Sequence, residues 1–156
     1  MTQRVELATL LDRLAIDEVI TSYAVAVEDA DWPGFLALFA PEGRADHTGA
    51  GGIEGTADQV AGWLADELRP FAVRQLLLVN RRVRFQDADG YPGNHAELTA
   101  GYLSPLRRES GEDVMSGGRI VFALLRGDAG WRLSRVVVQE QWRRGGDVPG
   151  GVPAAG

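Results

Sequence analysis

The hydrophobic pattern of this chain changes period once, near Pro70, and that change restricts the fold more than any other feature. Before it, apolar residues recur every three or four positions. Leu7, Leu10, Leu11, Leu14, Ile16, Val19, Ile20, Tyr23, Ala24 and Val27 predict a helix over 4–30 with one broad apolar face and a bend near Leu14 to Asp17. Asp31 is placed to cap a short second helix, with Trp32 and Pro33 in its first turn and Phe35, Leu36, Leu38 and Phe39 as its buried side. Pro41 and Gly43 would end it. A short strand over 44–48 and a glycine-rich loop over 49–55 follow. Thr56 and Gln59 then form a capping-box pattern for a third helix, 57–69, stopped by Pro70.

Beyond Pro70 the pattern is that of strands. Residues 74–86, 94–104, 117–126 and 131–142 are rich in Val, Leu, Phe and Tyr and are separated by Asp/Gly-rich turns. Helices first and antiparallel strands afterwards predict an α+β fold, with three N-terminal helices packed on one face of a curved antiparallel sheet. One domain over 1–142 is expected, followed by a disordered Gly/Pro-rich tail over 143–156.

Composition narrows the chemistry. A net charge of -6 argues against nucleic acid as a partner, because phosphate neutralisation needs a basic surface. With no run of 18 apolar residues and no leader-like N-terminus, a cytoplasmic protein without membrane contact is the expectation. The chain has no cysteine, and all 16 basic residues are arginine. Thiol nucleophiles, thiolate metal sites, Schiff-base lysines and phosphate-loop lysines are therefore excluded. Two histidines without a His-x-x-x-His spacing predict no metal site, and no cofactor is expected. Carboxylates, tyrosine, hydroxyl groups and the two histidines remain.

The stretch AIDEVITSYAVAVEDADWPGFLALFAPEGRADH resembles the N-terminal signature of SnoaL-like proteins. LLVNRRVRF and the closing DAGWRLSRVVVQEQW agree with it, as do Leu38-Phe39-Ala40-Pro41 and Gly130-Trp131-Arg132, so that the resemblance covers roughly residues 7–142. It implies the cone-shaped fold of nuclear transport factor 2 and relatives such as scytalone dehydratase. It also implies homodimerisation through the outer sheet face. The dehydratases' pocket tyrosine and the acid five residues later correspond to Tyr23 and Glu28, and a pocket tyrosine at the end of the first strand corresponds to His47. The positions of their catalytic histidine and of its companion in the next strand are Leu76 and Gly101, and the following serine and asparagine positions are Gly118 and Ile120. Asn80 matches a family asparagine, for which the resemblance implies a structural role, satisfying backbone at a bend.

The expected catalytic residues are Tyr23, Glu28, His47 and Glu97. Glu28 ends the ridge Ile16, Ile20, Ala24, where desolvation would raise a carboxyl towards general-base range. Asp46 and His47 are adjacent on a strand and must face opposite ways, and the resemblance implies that His47, at the pocket-tyrosine position, is the one inside. His95, Glu97 and Thr99 share one strand face and Ala96, Leu98, Ala100 and Tyr102 the other. Either the polar row faces inward, where His95 or Glu97 could complete an acid/base pair with Glu28 or His47, or the apolar row lines the pocket and the polar row is solvated or in a subunit interface. The match of Gly101 to a family position favours the first. Asp46, Trp63, Leu76, Asn80, His95, Thr99, Ile120 and Phe122 are the expected substrate contacts. The resulting expectation is a cofactor-independent cyclase, isomerase or dehydratase acting on a small apolar, polyketide-like substrate. Two alternatives stay open: a non-catalytic ligand-binding or assembly protein of the same fold, and a partner resembling a dioxygenase β subunit.

Overall fold

The computed structural model describes residues 2–88, 91–148 and 152–153. Helix α1 (Thr2–Glu28) is continuous, with no break at Leu14 to Asp17, followed by α2 (Trp32–Ala37) and α3 (Ala57–Leu68). Both predicted caps form. The Asp31 carboxylate accepts from the Gly34 N–H at 3.0 Å. Thr56 Oγ1 accepts from the Gln59 N–H at 3.2 Å while Gln59 Oε1 accepts from the Thr56 N–H at 3.0 Å. Each cap satisfies helix-end donors that would otherwise lack partners.

Strands β1 (Phe39–Gly49), β2 (Glu54–Thr56), β3 (Phe71–Arg74), β4 (Leu77–Ala88), β5 (Tyr91–Arg108), β6 (Asp113–Gly127) and β7 (Gly130–Arg144) form one curved, unclosed seven-stranded sheet. Its order is β2-β1-β7-β6-β5-β3, with β4 pairing β5. The sheet is mixed, not purely antiparallel as expected, because β1 runs parallel to β7. The predicted 44–48 strand is the middle of β1, which starts directly after the Leu38 cap, so Pro41 and Gly43 lie within a strand. The predicted strand 74–86 is divided at Gln75 and Leu76 into β3 and β4. The expected tail begins at 143, whereas β7 continues through Arg144. A short pair, β8 (Asp147–Val148) and β9 (Val152–Pro153), follows, and residues 149–151 and 154–156 lie outside the described residues. Among the described residues no helix is long and apolar enough to cross a membrane.

Ile16, Ile20, Tyr23 and Ala24 of α1 are buried against the concave face of the sheet with Leu98, Ile120, Phe122, Leu133 and Val136. Burial of side chains this size stabilises by about 1.5–3 kcal/mol each. The N-terminal half of α1 departs from the expected single apolar face. Leu7, Leu10, Leu11 and Leu14 are 53–60% exposed. What holds this half down is polar: the Arg126 guanidinium grips the Asp12 carboxylate through two hydrogen bonds of 2.8 and 2.7 Å, and Trp131 Nε1 donates to the same carboxylate at 3.2 Å. The Arg126 contact and the indole N–H hold the Asp12 carboxyl below the usual carboxylate range, against an opposing push from burial.

Candidate functional site

Between α3, the end of α1 and the concave face of the sheet lies a cavity of about 410 Å³, a size suited to a small organic ligand. Val27, Trp63, Leu64, Leu76, Ile120 and Val138 give it apolar walls. Asp66, Glu67, Pro70 and Arg108, exposed or half-buried, form its rim.

His47 enters this cavity from β1, beside Val138, as strand alternation requires with Asp46 turned the other way. Its backbone anchors the glycine-rich loop: its carbonyl accepts from Ala50 and Gly52, both at 2.9 Å, and its N–H donates to Ile53 at 2.8 Å. The imidazole lies 5.4 Å from the Trp63 ring, centroid to centroid. Gly52 is needed here, because a Cβ would fall 2.4 Å from the Trp63 ring and 3.0 Å from the His47 Cβ. His47 is 6% exposed, and its Nδ1 is buried with no hydrogen-bond partner. Burial pushes the imidazole pKa down to about 4, only partly offset by the nearby Asp46 charge. The site therefore holds a neutral imidazole with an unmatched polar atom. Such an atom is costly in a folded core unless a ligand or water completes it.

A second polar group was not anticipated. Tyr102 of β5 and Glu140 of β7 both pair with Gly118 of β6, from opposite sides, so nothing intervenes between them on the concave face. One row further, Ser104, Ser116 and Arg143 lie in register. A bulge between Glu140 and Trp142 brings Glu140 and Arg143 to the same face, where strict alternation would separate them. Arg143 Nε donates to Glu140 Oε1 at 2.8 Å, with the side chains only 14% and 11% exposed. Among the described residues the terminal nitrogens of Arg143 have no hydrogen-bond partner. Burial, with help from the Glu140 charge, pushes the Tyr102 phenol up to about 12, against the Arg143 charge and the Ser116 hydroxyl. Tyr102, Ser104, Ser116 and Arg143 all line the cavity. Their signal in the sequence was the apolar row ending in Tyr102. The bulge that brings in Arg143 left none.

The structure brings together Tyr23, His47, Trp63, Leu76 and Ile120 of the expected residues. Tyr23 packs 5.2 Å from both Phe35 and Phe122, and burial raises its phenol pKa. Phe122 is core beneath Tyr23, not cavity wall. Glu28 turns aside: its Oε2 accepts from the Leu76 N–H at 2.9 Å, and its carbonyl accepts from Arg74 Nε at 3.2 Å. The acid thus serves the backbone at Leu76.

Four expectations are corrected. His95, Glu97 and Thr99 lie on the convex face, where His95 and Glu97 are exposed, because burying Ala96, Leu98, Ala100 and Tyr102 outweighs burying the polar row. Gly101 goes with them; a Cβ there would meet only Val79 side-chain and strand backbone atoms. Asp46 also lies outside the cavity, accepting from the Thr48 N–H and hydroxyl at 2.9 and 2.6 Å and facing Arg135 at 3.8 Å. Asn80 is no substrate contact: it is exposed outside the cavity with φ of 53° at the β4 register shift, in keeping with the structural role at a bend that the family match implies. Among the described residues no group of three or more His, Asp or Glu side chains is arranged to hold a metal ion.

Comparison with known proteins agrees with this architecture. A candidate scytalone dehydratase from Novosphingobium aromaticivorans superposes with a TM-score of 0.79 at 17% identity, over 98% of this chain and 97% of that one. A candidate aromatic ring hydroxylase from the same organism gives 0.77 at 23%, over 88% and 94%. A LinA-type hexachlorocyclohexane dehydrochlorinase from Novosphingobium barchaimii gives 0.73 at 14%, over 89% and 92%. An uncharacterised protein of Mycobacterium tuberculosis is 30% identical over 77 residues, 49% of this chain, and the match spans about half (52%) of that relative's length. The SnoaL-like domain model matches residues 8–137, and the chain belongs to that family, on the nuclear transport factor 2-like fold.

Proposed function

We propose that the protein is a cofactor-independent acid/base enzyme acting on a small, largely apolar carbonyl compound, of polyketide-like or related secondary-metabolite type. The observation that carries this reading is the neutral, buried His47, with its unpartnered Nδ1, in an apolar cavity that also holds Tyr102 and Arg143. His47 is the base that takes a proton beside the substrate carbonyl. Tyr102 and Tyr23, both kept as neutral phenols by burial, are the available donors to the developing enolate oxygen, with Arg143 at hand to stabilise its charge. Although an isolated imidazole of such low pKa is a weak base, an enolate forming beside it in a water-poor site stabilises the imidazolium. Cyclisation and isomerisation are favoured over dehydration because Leu76 stands where the dehydratases have histidine. The fold is compatible with elimination chemistry in its named neighbours.

The enolisation common to these reactions is directly measurable. Incubated in D2O with small cyclic 1,3-diketones and aryl ketones, the protein is expected to catalyse deuterium incorporation beside the carbonyl, followed by NMR. If none of the compounds that bind the cavity exchanges faster than in buffer, the enzyme reading is wrong.

The same proposal includes a homodimer in the cytoplasm, formed through the convex sheet face. Leu77, Leu103, Gly117 and Trp142 lie in one cross-strand row there, and Leu77, Leu103 and Trp142 are 39–42% exposed. Leu103→Arg is expected to lower the mass measured by light scattering, and an unchanged mass would remove this face from consideration.

A further inference from the structure

The leucines of α1 form a surface that the fold leaves uncovered. At 3.6 residues per turn, Leu7, Leu10, Leu11 and Leu14 fall within roughly 100° of arc, about 160° from the stripe of Ile16, Ile20 and Tyr23 that the sheet buries. Four leucines more than half exposed on one stripe are unusual for a monomer's surface. The stripe is flanked at its N-terminal end by Arg4 and at its C-terminal end by Glu18, on the same side of the helix. Both are exposed, and among the described residues neither has an ion-pair partner. Asp17, on the opposite flank, is already held by Arg81 at 2.6 Å.

We propose that this stripe binds a second copy of the same chain, with the two α1 helices antiparallel about a two-fold axis between Leu10 and Leu11. In that arrangement Leu7 meets Leu14 of the second copy, Leu10 meets Leu11, and the Arg4 and Glu18 flanks of the two helices come side by side in both directions. A surface whose ends carry opposite unpaired charges on one flank is self-complementary when reversed, which a two-fold interface requires. In a parallel pair the two Arg4–Glu18 flanks would lie on opposite sides of the seam and could not pair. An isolated pair of helix stripes buries less than the roughly 1,200 Å² of a free-standing interface, and the stripe faces away from the convex sheet face, so helix pairing joins copies already paired through that face into a larger assembly. The stripe lies on the side of α1 turned away from the cavity, so pairing leaves the proposed active site accessible.

The absence of native cysteine allows a clean test in the full-length chain. Under mild oxidation, the Leu7→Cys/Leu14→Cys variant is expected to run as a covalent dimer on a non-reducing gel, while Leu7→Cys alone stays monomeric. In parallel, Leu10→Glu/Leu14→Glu is expected to lower the mass found by light scattering, with an unchanged circular dichroism spectrum. Failure of the double-cysteine variant to cross-link, equal cross-linking of the single variant, or an unaltered mass in the glutamate variant would each overturn the antiparallel pairing. None of these outcomes depends on catalysis.

Discussion

Replacing His47 by glutamine is expected to lower the rate of substrate deuterium exchange by about 10²-fold or more while leaving helix and sheet content unchanged. Glutamine keeps a polar group of similar reach at the cavity wall but cannot accept a proton near neutral pH. The matching control is Glu28→Gln. Because Glu28 accepts a hydrogen bond from the Leu76 N–H at 2.9 Å, and a glutamine oxygen can do the same, that variant is expected to retain exchange within a few-fold of the parent. Sequence position alone makes Glu28 and His47 equal candidates for the base, and the pair of variants separates them. Full exchange in His47→Gln with loss in Glu28→Gln would reverse the assignment and mean that the acid leaves Leu76 when substrate binds. Tyr102→Phe is expected to lower the rate less than the histidine change, since Tyr23 and Arg143 remain to hold the oxygen.

The difference between those two candidates illustrates what a sequence carries. Asp31, Thr56 and Gln59 were legible because a cap is a hydrogen bond across three residues and needs no knowledge of the rest of the chain. His47 was legible in two steps: strand alternation lets only one of Asp46 and His47 face in, and the match to a pocket tyrosine of the family chose His47. Two opposed stripes on α1 were harder to separate, since each follows the three- and four-residue spacing. The sign was the two-residue step from Leu14 to Ile16, which turns the helix by about 200°. Along β5 the apolar row Ala96, Leu98, Ala100, Tyr102 was the better guide to the inner face than matching Gly101 to a family position. The Glu140–Arg143 pair was beyond reach. Regular alternation puts residues three apart on opposite faces, and only the bulge before Trp142, fixed by how β7 lies over Gly118, brings them together. A Cβ on Gly118 would fall 2.0 Å from the Gln139 carbonyl oxygen, so that bulge depends on a glycine in a different strand.

Stability should record the state of His47 independently of any substrate. Its imidazole is depressed from the ordinary 6.5 to about 4 in the folded protein, so the unfolded chain takes up a proton that the folded one refuses across this window. Stability is therefore fullest above pH 6.5, falls as pH drops, and stops falling on this account below about pH 4. The loss is about 2 kcal/mol by pH 5 and about 3 kcal/mol in total. Asp12 and Asp46, held below the carboxylate value of 3.8, act in the same direction but only at lower pH, so the interval from 7 to 5 isolates the histidine. Urea unfolding at pH 7, 6 and 5 is expected to show this decline in the parent protein and a nearly flat profile in His47→Gln. A flat parent profile, or an equal slope in the variant, would mean that the imidazole is not held neutral by burial. The proposed base would then be already protonated in part when substrate arrives, and the chemistry assigned to this cavity would need another acceptor.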